Sequence, residues 1–230
     1  MTGMSNELVR YRIEESVAVI EMDDGKANAI SHSMLEGLNR ALDRAEKEAK
    51  AIVLSGRAGR FSGGFDLGVM RGGAEQALAL VGRGAELALR VYGFSLPVVI
   101  ACTGHAIAMG AVLLLSADTR LGAEGDFKIG LNEVAIGLPL PPFAMRLAEA
   151  RLSKRHLVRA ALQAEIYAPP GAADAGFLDR VTSADALAAS ALGEAKRLLA
   201  LDPGAFRATK TALRSDTIAR IRAEERTLPG

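Results

Sequence analysis

Phe61-Ser62-Gly63-Gly64-Phe65-Asp66-Leu67 decides the fold through what stands on either side of it. Upstream, Ala51 to Ser55 is a short apolar run that reads as a buried strand, and downstream Ala74 to Tyr92 reads as a helix. The order then recurs. Pro97 to Cys102 reads as a second buried strand, Gly104-His105-Ala106-Ile107-Ala108-Met109-Gly110-Ala111 as a second glycine-containing loop, and Ala111 to Leu115 as the start of a helix. Strand, loop and helix in repetition predict right-handed crossovers and a mainly parallel sheet flanked by helices, an α/β architecture.

Working outward, Leu8 to Glu14 and Val17 to Met22 flank Glu15-Ser16 and predict a strand pair joined by a tight turn. After Asp23-Asp24-Gly25-Lys26, the apolar residues Met34, Leu38, Ala41, Leu42 and Ala45 recur at helical spacing, with Ser31 or Ser33 able to cap the helix. From Phe143 onward the pattern is almost wholly helical. Ser153, a capping box at Thr182 to Asp185 and Asp202-Pro203 mark helix starts. Tyr167-Ala168-Pro169-Pro170-Gly171 interrupts that pattern, which divides the chain into a core, 1–166, and a helical region, 167–230.

Composition narrows the partner. With 230 residues, half of them hydrophobic, the chain can bury a substantial core. Its 28 basic and 27 acidic residues are well mixed and leave a net charge of +1, so there is no sequence-wide footprint for nucleic acid or an anionic membrane. A small-molecule partner is expected. Cys102 is the only cysteine, which removes an intramolecular disulfide and a cysteine-based zinc site and fits a reducing, cytoplasmic setting. Met1 to Glu15 has no apolar signal core, and Gly104, His105 and Gly110 break the most apolar stretches well short of a membrane span. The loops and motifs of nucleotide hydrolases, dinucleotide-binding folds, zinc proteases and serine hydrolases are absent from the sequence.

Each glycine loop between strand and helix can turn backbone N–H groups toward a negative charge, the construction of an oxyanion hole. A third segment, Asn132-Glu133-Val134-Ala135-Ile136-Gly137, adds a carboxylate beside an apolar run, where burial can raise it toward a useful base. One acid and two converging donors suffice to move a proton next to a carbonyl whose oxygen becomes negative. Asp66 is a candidate for acid chemistry but reads first as a helix cap, and His105 reads first as structural. His32 and His156 lie on helical segments, and Cys102 has no adjacent base.

Together these segments, with Asp24-Gly25-Lys26-Ala27-Asn28-Ala29-Ile30, Ala117-Asp118-Thr119-Arg120 and Phe127-Lys128-Ile129-Gly130, resemble the enoyl-CoA hydratase/isomerase family, the crotonase superfamily. The resemblance runs over nearly the whole chain. It implies a crotonase-like ββα spiral core, an α-helical C-terminal trimerisation region, and a homotrimer or dimer of trimers. It also implies an acyl-CoA thioester substrate, with no metal and no cofactor beyond the coenzyme A that the substrate carries. Carried over by position, the oxyanion donors are the backbone N–H groups of Phe65 and Met109. Gly63, Gly64, Asp66 and Gly110 border the substrate, and Lys26 and Ala27 meet the adenine and pantetheine part. Lys210 and Arg214, on the final helix, could approach the phosphates, although a solvated helix face is the ordinary reading of each. The family usually has three glycines where this chain has Ala108-Met109-Gly110, so Met109 and Phe65 add bulk near the pocket.

The family's hydratases have two glutamates, and the first of them falls here on Val112. Glu133 alone is kept. Adding water across a conjugated double bond is helped by two carboxylates, whereas isomerising a 3-enoyl thioester needs one base that removes a proton at C2 and returns it at C4. The expected activity is therefore enoyl-CoA double-bond isomerisation with Glu133 as base. The alternatives are a divergent hydratase and a catalytically weak CoA-binding relative.

Overall fold

In the computed structural model, which describes residues 7–226, the chain opens with the hairpin of β1 (Val9–Glu14) and β2 (Val17–Met22), paired from Val9↔Met22 to Glu14↔Val17. Met1 to Asn6, part of the stretch read above for a signal core, lie outside the described residues. Glu15 and Ser16 both take positive φ, 47° and 68°, the left-handed pair that matches a two-residue turn to the twist of its strands. From β2 the sheet continues through β3 (Ala51–Ser55), β5 (Val98–Cys102), β7 (Thr119–Ala123) and β9 (Arg180–Thr182), every one of these pairings parallel.

Strand alternation sorts the core into two layers. Ala18, Ile20, Met22, Ile52, Leu54, Val98, Ile100 and Cys102 meet α1 (His32–Glu48), α3 (Ala74–Tyr92), α4 (Met109–Ser116) and α5 (Pro142–Arg151). On the opposite face Val17, Val19, Val53, Val99, Ala101 and Leu121 meet Leu187, Ala191, Ala195 and Leu198 of α8 (Ala184–Leu199). Every residue of α4 is buried, as a helix apolar on all sides must be. Its polar member Ser116 returns its hydroxyl to the Val112 carbonyl at 2.9 Å. Ser31 caps α1 by accepting from Met34 N, and Asp202 caps α9 (Pro203–Glu225) by accepting from Ala205 N. The remaining helices are α2 (Leu67–Met70), α6 (Lys154–Ala161) and α7 (Pro169–Ala175).

Two expectations change. The capping box at Thr182 to Asp185 does not form: Thr182 ends β9, paired with Ala123, and Ser183 precedes α8 without a side-chain cap bond. The run after Phe143, expected to be almost wholly helical, thus contributes an edge strand as well as the helix that covers a sheet face.

A second, three-stranded parallel sheet, β4 (Gly59–Ser62), β6 (Gly104–Ile107) and β8 (Ile129–Gly130), was not anticipated. Its register aligns Ser62 with Ala106, Ala106 with Ile129 and Ile107 with Gly130. The three strands therefore end side by side and release residues 63–66, 108–110 and 131–133 at one edge. Open parallel sheets place ligands at the carboxyl ends of their strands in the same way.

Candidate active site

The foundation is the turn from Asp24 to Ala29. The Asp24 carboxylate accepts from the N–H groups of Lys26, Asn28 and Ala29 at 2.7, 2.8 and 2.9 Å. Burial pushes its pKa up, and these donors more than offset that, holding it below the ordinary carboxylate value. Asn28, fully buried at φ +51°, donates to the carbonyls of Met22, Arg60 and Phe61 and accepts from Asp24 N. The turn leaves Lys26 and Ala27 exposed. Ala27 O accepts from Gly63 N at 2.8 Å, so this segment and the first glycine loop form one unit. Ser62 joins them, donating to Asn28 O at 2.7 Å and accepting from Gly64 N at 3.2 Å. Asn28 and Ser62 were not singled out from the sequence, since nothing in a residue's type announces that its side chain will brace a loop.

The two candidate donors come next. Ile30 bonds to Gly64 O and Asp66 N across a parallel bridge to Phe65, so the N–H of Phe65 points away from Ile30. Met109 opens α4, where a first-turn N–H has no intrahelical acceptor. Ala108 holds φ 51° and ψ −120°, a conformation rare for a residue with a Cβ, and that ψ sets the direction of the Met109 N–H. Gly64 (φ +96°) lies between the loops: a Cβ there would stand 3.0 Å from Ala108 Cβ and 3.6 Å from Met109 N. Gly110 follows inside α4, where a Cβ would stand 2.4 Å from Ser62 O. The bulk of Phe65 and Met109 turns toward α3. A Cβ on Gly84 would meet the Phe65 ring at 2.5 Å and Met109 Cε at 3.6 Å.

Gly64→Ala is expected to lower turnover roughly 10²-fold, comparable with losing one oxyanion donor, because the positive φ and the Ala108 contact force the Phe65 and Met109 loops apart. Steady-state kinetics beside a thermal melt checks this. Full activity in a folded variant would disconnect Gly64 from donor geometry.

Glu133 starts the 3₁₀ turn Val134–Ile136 beyond β8. Its Oε2 is buried with no hydrogen-bond partner among the described residues, and burial pushes the pKa of the carboxyl above its ordinary value. Its own backbone N–H donates to the carboxyl and partly offsets that effect, yet burial prevails, and a desolvated carboxylate is a stronger base than a surface glutamate. Asn132 beside it also carries a buried, unpartnered oxygen, Oδ1.

Other candidates take different roles. The Asp66 carboxylate accepts from Gly68 N and Val69 N and caps α2. His105 Nδ1 accepts from Lys128 N, so its ring is held by the backbone. His156, read as ordinary, is buried between the Tyr167 hydroxyl and Asp174. Burial pushes the Cys102 thiol up to about 12, which leaves it protonated and inert. Lys210 and Arg214 are neither solvated nor free for phosphates. Both are buried on Asp118, Lys210 Nζ at 2.7 Å and Arg214 Nη2 at 2.9 Å. Lysine and arginine on an amphipathic helix look solvent-facing in sequence, and the acid that draws them inward lies far away on another element. Among the described residues no cluster of three or more His, Cys, Asp or Glu could hold a metal ion, and no helix is long and apolar enough to cross a membrane.

A family model described as enoyl-CoA hydratase/isomerase matches residues 12–228. The chain is similar to human mitochondrial enoyl-CoA delta isomerase 1, at 29% identity over 224 residues, covering 95% of this chain and 74% of that protein. It is also similar to a probable enoyl-CoA hydratase of Bacillus subtilis, at 34% identity over 140 residues, covering 59% of this chain and 54% of the relative. Among solved structures, an enoyl-CoA hydratase/isomerase family protein from Pseudomonas syringae superposes with a TM-score of 0.93 at 41% identity, covering 97% of this chain and 99% of that one.

Proposed function

Because the chain belongs to the enoyl-CoA hydratase/isomerase family and carries the α/β fold of the crotonase superfamily, we propose that it is an isomerase, moving the double bond of a 3-enoyl-CoA thioester into conjugation. Glu133 removes a proton from C2, and the π electrons shift toward the thioester oxygen. The N–H groups of Phe65 and Met109 stabilise the resulting enolate, each worth ~3 kcal/mol in the transition state. Glu133 then returns the proton at C4. Lys26 and Ala27, on the exposed turn tied to Gly63, receive the coenzyme A part of the substrate. The reaction requires no cofactor beyond that coenzyme A. A homotrimer or dimer of trimers built through residues 167–230, in the cytoplasm, belongs to the same reading.

The observation that carries this reading is the buried, unpartnered Oε2 of Glu133. Val112, 1% exposed in the first turn of α4, supports it as well, since the resemblance puts a hydratase's other glutamate at that position. The test is a paired assay with 3-enoyl-CoA and 2-enoyl-CoA, following conjugation by ultraviolet absorbance and products by mass. Conversion of the 3-enoyl substrate without mass change is expected. A protein that binds acyl-CoA yet converts neither substrate would be a weak CoA-binding relative.

A further inference from the structure

Arg151, the last residue of α5, makes no ion pair among the described residues, and its Nε is buried without an acceptor. Its Nη2 donates to the carbonyls of Ala117 at 2.9 Å and Asp118 at 3.4 Å. Arg214 Nη2 reaches the same Ala117 carbonyl at 3.4 Å, so two guanidinium groups converge on one oxygen. The Asp118 carboxylate is already claimed by Lys210 and Arg214. Arg120, 4% exposed, adds a fourth cation and spends two of its donors on Asp179, which leaves its Nη1 buried without an acceptor. Four cations thus meet two carboxylates. Burial, then Arg120 and Arg214, pushes Arg151 down to about 10, which still leaves it protonated at neutral pH. It cannot escape the crowding by losing its proton. The carbonyls at the ends of helices bring partial charge, and a water molecule accepts from Nε but brings no charge, so the surplus is left for an anion to meet.

We propose that a small inorganic anion, chloride or phosphate, binds beside Arg151 where the ends of α4 and α5 meet the start of β7, accepting from Arg151 Nε and offsetting the surplus charge of the cluster. Arg120 Nη1 is a second free donor of the same cluster. Arg151 is half-buried, which leaves an ion access from solvent. Arg120, Arg151, Lys210 and Arg214 come together only when β7, α5 and α9 are packed, so the site belongs to the folded chain alone. A ligand that binds the folded state and not the unfolded one stabilises by mass action.

The experiment is a thermal melt at constant ionic strength, with sodium gluconate replaced stepwise by sodium chloride or by sodium phosphate, on the wild-type chain, Arg151→Met and Arg155→Met. Wild-type protein is expected to gain about 3–5 °C for each tenfold rise of the binding anion above its Kd. Arg155→Met, which loses an exposed arginine paired with Asp174, is expected to gain the same, and Arg151→Met to gain nothing. The salt that produces the gain identifies the ion. Equal gains in all three chains are a general salt effect and overturn the proposal, as does a wild type that responds to neither anion. Should Arg151→Met fail to fold, wild-type crystals grown in the anion that responded decide the matter, with bromide standing for chloride. An ion beside Arg151 Nε is expected, and a water molecule in that place overturns the proposal.

Discussion

Glu133→Gln is expected to lower isomerisation roughly 10³-fold while leaving acyl-CoA affinity within a few-fold of wild type. The amide matches the carboxyl in size, so the turn Val134–Ile136, held by backbone bonds from Ile136 and Leu138 to Glu133 O, keeps its shape. What is lost is the capacity to accept a proton, a contribution of about 10²–10⁴ in positioned general-base catalysis. The same group sets the pH profile. The base works only when ionised, and burial raises its pKa, so kcat/KM falls on the acid side with a midpoint above the ordinary glutamate value of about 4.3. Turnover that survives Glu133→Gln, or an acid limb at the ordinary value, would remove Glu133 from the mechanism.

Asp118→Ala is expected to destabilise the fold by about 3–5 kcal/mol, the usual effect of stripping one partner from a buried ion pair. Asp118 accepts from Val98 N at 2.7 Å besides meeting Lys210 and Arg214, so a single carboxylate joins β5, the start of β7 and α9. Without it, Lys210 keeps the Leu96 carbonyl and the face of the Phe206 ring, and Arg214 the carbonyls of Tyr92 and Ala117 and the face of the Tyr92 ring. The Tyr92 and Ala117 carbonyls close α3 and α4, whose dipoles favour cations, yet they do not replace a full charge. The neighbourhood is already crowded with positive charge. Burial, together with Arg120 and Arg214, pushes Arg151 down to about 10. Urea denaturation measures the loss, and a change below about 1 kcal/mol would mean that the pair is solvated after all. Adding Lys210→Met to Asp118→Ala should recover part of the loss, since it removes one of the stranded cations.

Long apolar elements were legible in the sequence. The hairpin around Glu15-Ser16, α1, β3 and α3 fall where periodicity puts them, because five to nineteen residues are enough to express a period. The second sheet was not legible. Its strands have two to four residues and include Gly59, Gly104 and Gly130, too short and too glycine-rich for alternation to register. The site followed the same division. Phe65, Met109 and Glu133 could be named as candidates from ordered motifs, whereas the bracing by Asn28 and Ser62 and the orphaned oxygen of Asn132 exist only once three distant loops meet. Lys210 and Arg214 show the limit from the other side: helical spacing reports a face, and charge alone does not say whether that face meets water or a buried acid.

The tie between Lys210 and Asp118 spans 92 residues of chain, and it also dictates when the protein can finish folding during synthesis. Asp118 leaves the ribosome long before α9, and until that last helix emerges its carboxylate must stay hydrated. The polar ends of α3 and α4 wait for the same helix. The strands can collapse early, but closing one end of the sheet waits for α9, among contacts whose loop-closure entropy makes them slow to form. A nascent chain stalled before Lys210 should therefore be open to protease at the start of β7, and a chain that includes α9 resistant there.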